Sequence, residues 1–343
     1  MLSILRKPAG TPIAPPPDTT VTPPRPPRRP KLGLALGSGA ARGWSHIGLL
    51  RELDAAGIRP DIVVGTSIGA VVGGFYAAGR LDALEEFALS LTRRRMVGLL
   101  DLSLSGGAIF AGARLRQKIE EALGGMEIGA MPTRFAAVAT EIGSGHEIWL
   151  RDGPVAPALG ASYAMPGILE PVRLQNRLLF DGALVNPVPV SVCRALGADV
   201  VIAVSLVSDT MFRGSVVGDR RAEEEAVDAI ADKIEEATAG SVWPGGAHAR
   251  RLLRRFFTRP AGGAPGITSV MLDAFTITQD RIARSRLAGD PPDVLVSTRL
   301  DEIGLFDFHK ARMSIARGRD AARRRIPDIQ DHLYGLPARS AER

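Results

Sequence analysis

The stretch Asp61-Ile-Val-Val-Gly65-Thr66-Ser67-Ile68-Gly69-Ala-Val-Val-Gly-Gly-Phe-Tyr-Ala-Ala78-Gly79 decides the fold. Its start, 61–64, is a β-branched apolar run and reads as a buried strand. The small residues of 68–78 read as a buried helix stopped by Gly79. Residues 63–79 carry no charge, but the run is short for a membrane span and five of its residues are glycine. Strand, tight turn and helix is therefore its reading.

Upstream, Lys31-Leu-Gly-Leu-Ala-Leu-Gly37 is a second apolar run that ends in a glycine-rich loop. Residues 44–56 follow with helical spacing: Ile47, Leu50 and Leu53 share one face, and Gly57 ends the run. Strand, loop, helix, strand, turn, helix is the order of a parallel sheet covered by helices. The expected fold is α/β, three layers α/β/α around a central, mostly parallel sheet, with a C-terminal helical extension.

The pattern continues downstream. Helices are expected over 81–92, 114–123 and 190–196, and strands over 135–140, 146–150 and 199–207. A hairpin over 172–180 would turn at Gln175-Asn176. Beyond 208 the regularity falls. A charged helix over 221–239 has Val227, Ile230 and Ile234 at core spacing, and 243–266 is rich in Gly, Pro and Arg. A strand over 294–299 and a basic helix over 308–325 close the chain. Three regions result: a leader (1–31), a catalytic domain (32–207) and a C-terminal extension (208–343). No internal repeat is visible.

Composition sets bounds. With 343 residues, 45% of them hydrophobic, the chain can bury a sizeable core. Ten prolines lie between Pro8 and Pro30, and residues 1–31 hold six basic residues and one acid, or +5 of the formal +6. Such an arm cannot fold alone, so a disordered leader is expected, or an electrostatic arm for anionic membranes. No aromatic interleaves its charges, so no nucleic acid is expected as partner. Cys193 is the single cysteine, which fits a reducing compartment. Arg6, Lys7 and Pro8 interrupt the apolar start, so neither a signal peptide nor a transmembrane helix is expected. A cytoplasmic location with peripheral membrane contact fits. That contact could use Arg250, Arg251, Leu252, Leu253, Arg254, Arg255, Phe256 and Phe257, a basic amphipathic run that reads as anchor, lid or packed surface helix.

A strand ending in Gly-x-Ser-x-Gly and entering a helix is a nucleophile elbow. The turn is strained, so Gly65 and Gly69 provide clearance around Thr66, Ser67 and Ile68. The serine hydroxyl then sits at a helix N-terminus, where developing negative charge is favoured. A tight-turn serine that caps a helix would satisfy the same five residues. The second turn, Gly37-Ser38-Gly39-Ala40-Ala41-Arg42-Gly43, leaves backbone N–H groups around a concavity. A dinucleotide or the oxyanion of an acyl-transfer intermediate could use it. The first needs an acid at the end of the second strand and a small residue at position 42. The sequence has Gly65-Thr66-Ser67 and Arg42 there, which favours the oxyanion.

A serine nucleophile needs a base. None of the five histidines follows an expected strand, and His46 reads as a capping or packing residue. Asp181 is better placed, after Leu178-Leu179-Phe180 and before Gly182-Ala183, although an Asx-turn residue would look the same. No cluster of His, Cys, Asp and Glu has metal-ligand spacing, so neither metal nor cofactor is expected.

Together with Trp44-Ser-His-Ile-Gly48 and Ala161-Ser162-Tyr-Ala-Met-Pro-Gly167, these stretches resemble the bacterial patatin-like phospholipases over about 32–207. The resemblance implies a Ser-Asp dyad without histidine, with Ser67 as nucleophile and Asp181 as base. It implies an oxyanion hole in the turn of Gly39, Ala40, Ala41, Arg42 and Gly43, and a phospholipid or other lipid ester as substrate. The family loop begins with consecutive glycines. Here Ser38 and Ala40 replace two of them, so a demand for positive φ would fall on Ala40. An acyltransferase on the same elbow, or a non-catalytic regulator that keeps the fold, are the alternative functions.

Overall fold

The computed structural model describes residues 29–99, 101, 108, 110–206 and 267–335. The leader up to residue 28, the helix expected over 221–239 and the basic run 250–257 lie outside them. Strand β1 (Leu32–Leu36) pairs in parallel with β2 (Ile62–Thr66) on one side and β7 (Val200–Ser205) on the other. Strand β3 (Arg134–Glu141) extends the parallel set beyond β2, and β8 (Val294–Ser297) extends it beyond β7. Antiparallel strands finish the β3 side: β4 (Glu147–Leu150) and β6 (Arg177–Asp181) both pair with β3, and β5 (Val172–Leu174) pairs with β6. The order is β5-β6-β3-β2-β1-β7-β8, with β4 on β3. Gln175 (φ 44°) and Asn176 (φ 68°) form the turn between β5 and β6, with the left-handed pair that a two-residue hairpin needs.

The central parallel strands β1, β2, β3 and β7 are buried on both faces, and side-chain alternation sorts their residues into two cores. Leu32, Leu34, Leu36, Val63 and Phe135 face one side. There they meet α1 (Ser45–Ala55), α2 (Ile68–Ala77), α3 (Leu81–Ser90), α5 (Ala113–Leu123), α6 (Val155–Ser162) and α9 (Ala311–Tyr334). A shorter helix, α4 (Arg93–Leu99), follows α3. Ala35, Ile62, Val64, Ala136 and Val201 face the other side, against α7 (Val190–Ala195) and α8 (Ile267–Gly289). This is the expected three-layer α/β/α fold. Each fully buried Leu, Ile or Phe contributes about 1.5–3 kcal/mol of burial.

The C-terminal elements are integral to these layers. β8 hydrogen-bonds along β7, and α9 packs lengthwise on α1. Residues 294–334 therefore share the sheet and core of 32–207, although the sequence places them in a separate extension. Three helices were not legible, the short α4, α6 and α8. Pro157 and Gly160 obscure α6, and its burial on nearly every side removes amphipathic spacing. The β-branched start of α8, Ile267-Thr-Ser-Val270, likewise hides a helix. Among the described residues no helix is long and apolar enough to cross a membrane.

The chain moves from β1 outward through β2 and β3, then returns to β1's other side as β7. In open α/β sheets the crevice at the carboxyl ends of strands, where the order reverses, is where ligands bind. The turn of residues 37–43 leaves β1 at this point. Its Gly37 N–H donates to the Val204 carbonyl (3.0 Å) and its Ser38 N–H to that of Pro187 (2.9 Å).

Candidate active site

The site begins with register. Thr66, the last residue of β2, pairs with Val138 of β3, and Asp181, the last residue of β6, pairs with the next residue, Ala139. β2 runs parallel to β3 and β6 antiparallel, so the two strands end against neighbouring residues of one strand. Ser67 follows the first end and Asp181 closes the second. Their side chains meet: Ser67 Oγ donates to Asp181 Oδ2 at 2.6 Å, with both groups buried.

Backbone geometry keeps the serine there. Ser67 adopts φ 58° and ψ −125°, a conformation that costs a non-glycine residue about 1–3 kcal/mol. A Cβ on Gly65 would overlap the Gly69 carbonyl, and one on Gly69 would overlap the carbonyls of Leu36 and Gly37. Both glycines are thus required by close backbone approach. Thr66 fixes the strand end by donating its hydroxyl to the Asn186 carbonyl (2.8 Å), and Ile68 lies against Gly43.

Asp181 is both a turn residue and the partner of Ser67. Its Oδ1 accepts the Ala183 N–H (2.9 Å), which caps the short turn Gly182–Leu184, while Oδ2 faces Ser67. Gly182 packs against the Val138 carbonyl, where a Cβ would overlap it. Complete burial pushes the carboxyl up to about 7, and the bonds from Ser67 and Ala183 only partly oppose this. His46 stands apart. Its Nε2 bonds the Gly37 carbonyl at 2.8 Å, and burial pushes the imidazole down to about 4, so it is neutral at pH 7 and packs in the core.

The turn of residues 37–43 lies on the elbow through the contacts of Gly69 and Gly43, yet its N–H groups are not equivalent. Ala41 N–H donates to the Leu305 carbonyl (2.9 Å) and Arg42 N–H to that of Gly39 (3.1 Å). Among the described residues, the N–H groups of Gly39 and Ala40 have no backbone acceptor. Ala40 sits at φ 48°, so the positive φ does fall on it, and an alanine there costs about 1–2 kcal/mol. The C-terminal segment clamps the turn: Arg42 Nε donates to the Ile303 carbonyl (2.8 Å), and Ser314 Oγ donates to the Arg42 carbonyl (3.0 Å). Trp44 stacks edge-on against Phe308 at 5.9 Å. No short-range motif signals these contacts, because the partners lie some 260 residues apart.

A family model described as patatin-like phospholipase matches residues 34–194, which contain the turn, the elbow and Asp181. An uncharacterized NTE family protein of Mycobacterium tuberculosis (strain H37Rv) is 34% identical, covering 85% of this chain and 90% of its own. The chain belongs to the patatin-like phospholipase family. Patatin-like phospholipase domain-containing protein 6 of Mus musculus is 32% identical over 55% of this chain and 14% of its own length. The solved structure of VipD from Legionella pneumophila matches 89% of this chain and 67% of that one, with a TM-score of 0.45 and 13% identity. All the stretches that carried the resemblance fall within the matched patatin-like residues. Among the described residues no group of three or more His, Cys, Asp or Glu could hold a metal ion.

Proposed function

We propose that this patatin-like chain is a serine lipid acyl hydrolase, a carboxylic ester hydrolase of the phospholipase A or lysophospholipase type. One observation carries the reading: a buried serine in a strained elbow donates its hydroxyl at 2.6 Å to a buried carboxylate raised to about 7. A general base works best when its pKa lies near the working pH, and burial gives Asp181 that property without a histidine.

The steps follow from these groups. Ionised Asp181 takes the hydroxyl proton as Ser67 Oγ forms a bond to the ester carbonyl carbon. The carbonyl oxygen becomes an oxyanion, for which the N–H groups of Gly39 and Ala40 are the available donors. The ester C–O bond then breaks, and protonated Asp181 gives its proton to the departing alcohol. Water enters, loses a proton to Asp181 and attacks the acyl-Ser67 carbonyl, which releases the fatty acid and restores the hydroxyl. An apolar acyl chain suits this site, because excluding water strengthens each of these interactions.

Ser67→Ala and Asp181→Asn should each abolish ester hydrolysis while far-UV circular dichroism stays unchanged. Ser67→Ala should also abolish labelling by a fluorophosphonate. Wild-type turnover by purified Ser67→Ala would overturn the assignment. Mass spectrometry of products from a phospholipid mixture, with and without an added alcohol, separates hydrolysis from acyl transfer.

A further inference from the structure

Ser162, the last residue of α6, is fully buried. Its Oγ accepts the backbone N–H of Ser67 (3.0 Å) and donates to the Val138 carbonyl (2.6 Å). Two residues on, the Ala164 carbonyl accepts the backbone N–H of Asp181 (2.9 Å). One short segment thus holds the backbone of both members of the dyad. It does so beside Val138 and Ala139, the adjacent residues at which β2 and β6 end.

The Ser67 N–H needs this partner. It lies ahead of the first turn of α2, so no intrahelical carbonyl can accept it. Left unpaired in a buried site it would cost about 1–3 kcal/mol. A hydroxyl is both acceptor and donor, so one side chain satisfies the N–H and the Val138 carbonyl together. Ser67 also sits in a disfavoured conformation, which persists only where surrounding bonds over-determine it.

We propose that Ser162 is a positioning residue that locks the Ser67 backbone so that its hydroxyl stays on Asp181. The inference rests on the proposed Ser67–Asp181 chemistry. Its test uses the full-length chain and a short-chain p-nitrophenyl ester. Ser162→Ala should lower kcat about 10- to 100-fold with KM within about twofold, the scale of loss from a displaced reacting group. Fluorophosphonate labelling of Ser67 should slow by the same factor. The apparent pKa of kcat/KM should rise, because the bond from Ser67 holds the carboxyl of Asp181 down. Ser162→Cys, nearly isosteric with a weaker hydrogen-bonding group, should lie between alanine and wild type.

A folded Ser162→Ala with wild-type kcat, labelling rate and pH profile overturns the proposal. Should alanine prevent folding, Ser162→Cys decides: a drop in kcat with an upward pKa shift supports it, and wild-type values overturn it. Wild-type protein that neither turns over ester nor labels at Ser67 overturns the dyad itself, a separate outcome.

Discussion

At the scale of the residue, Asp181 faces two demands with opposite pH dependence. The proposed catalysis needs the carboxylate, whereas burial favours the acid. With the carboxyl raised from 3.8 to about 7, kcat/KM should climb as pH passes through about 7, plateau above it, and fall tenfold per pH unit well below. A stopped-assay profile from pH 5 to 9 checks this; an inflection near 4 would place Asp181 in water rather than in the core. Stability runs the other way. The unfolded chain ionises near 3.8 and the folded one near 7, so the native state binds the extra proton between these values. Rising pH therefore removes stability across that window and no further above it. Asp181→Asn keeps an acceptor for Ala183 N–H and a polar group for Ser67 without the charge. It should be inactive yet more stable than wild type, by about 2–4 kcal/mol above pH 7 and by little at pH 4. Urea melts at the two pH values read the difference. That Ser67 and Asp181 stand out was legible, because each follows or closes an apolar run beside a glycine, and the structure brings their side chains together. The two amides of the turn 37–43 that lack a backbone acceptor among the described residues were not legible, since what occupies Ala41 is the carbonyl of Leu305, far along the chain.

At the scale of the element, the crossing of α1 and α9 matters for both fold and site. A Cβ on Gly48 would overlap the Ile315 carbonyl, and one on Gly318 would overlap that of Ser45. The two helices therefore meet backbone to backbone. From the same region of α9, Ser314 holds the Arg42 carbonyl of the turn 37–43. Adding a methyl at this crossing costs more than the usual gain in helix propensity, because there is no space to receive it. Gly318→Ala should lower stability by about 1–3 kcal/mol and also slow ester turnover, since parting the helices shifts the turn. Gly289→Ala, where a Cβ meets nothing, should change neither and serves as control. Thermal melts alongside kcat test the pair; lost stability with unchanged kcat would show that the turn does not depend on α9. The elements that sequence reading found, β1 to α2 and the β5–β6 hairpin among them, carry a local signal of alternation, spacing or turn residues. α6 carries none, because it is buried among small residues, and yet it delivers Ser162 to the elbow.

At the scale of the whole molecule, the folded body extends well past the stretch that carries the family resemblance. Sequence patterning places the domain end near residue 207, because regularity fails there. Register places β8 along β7, with Ile202 opposite Val294 and Val204 opposite Val296. This reach was not legible, since a parallel partner shows no sequence link to the strand it joins. The consequence is energetic. α9 buries Ile315, Ala321, Ala322, Ile329 and Leu333 against the common core. At about 1.5–3 kcal/mol for each large apolar side chain, losing it removes much of the 5–15 kcal/mol that holds a typical domain together. Loss of β8 would also leave β7, buried along its length, as an open apolar edge. A chain ended at residue 290 keeps Ser67, Asp181, Ser162 and every matched family residue. It should nonetheless lack a cooperative thermal transition, bind the dye ANS and fail to label with fluorophosphonate. A truncated chain that melts cooperatively and labels at Ser67 would mean instead that 294–334 merely covers an autonomous domain. The clamp on the turn of residues 37–43 by Ile303, Leu305 and Ser314 argues for the first outcome, because it makes this C-terminal segment a support of the proposed reacting centre.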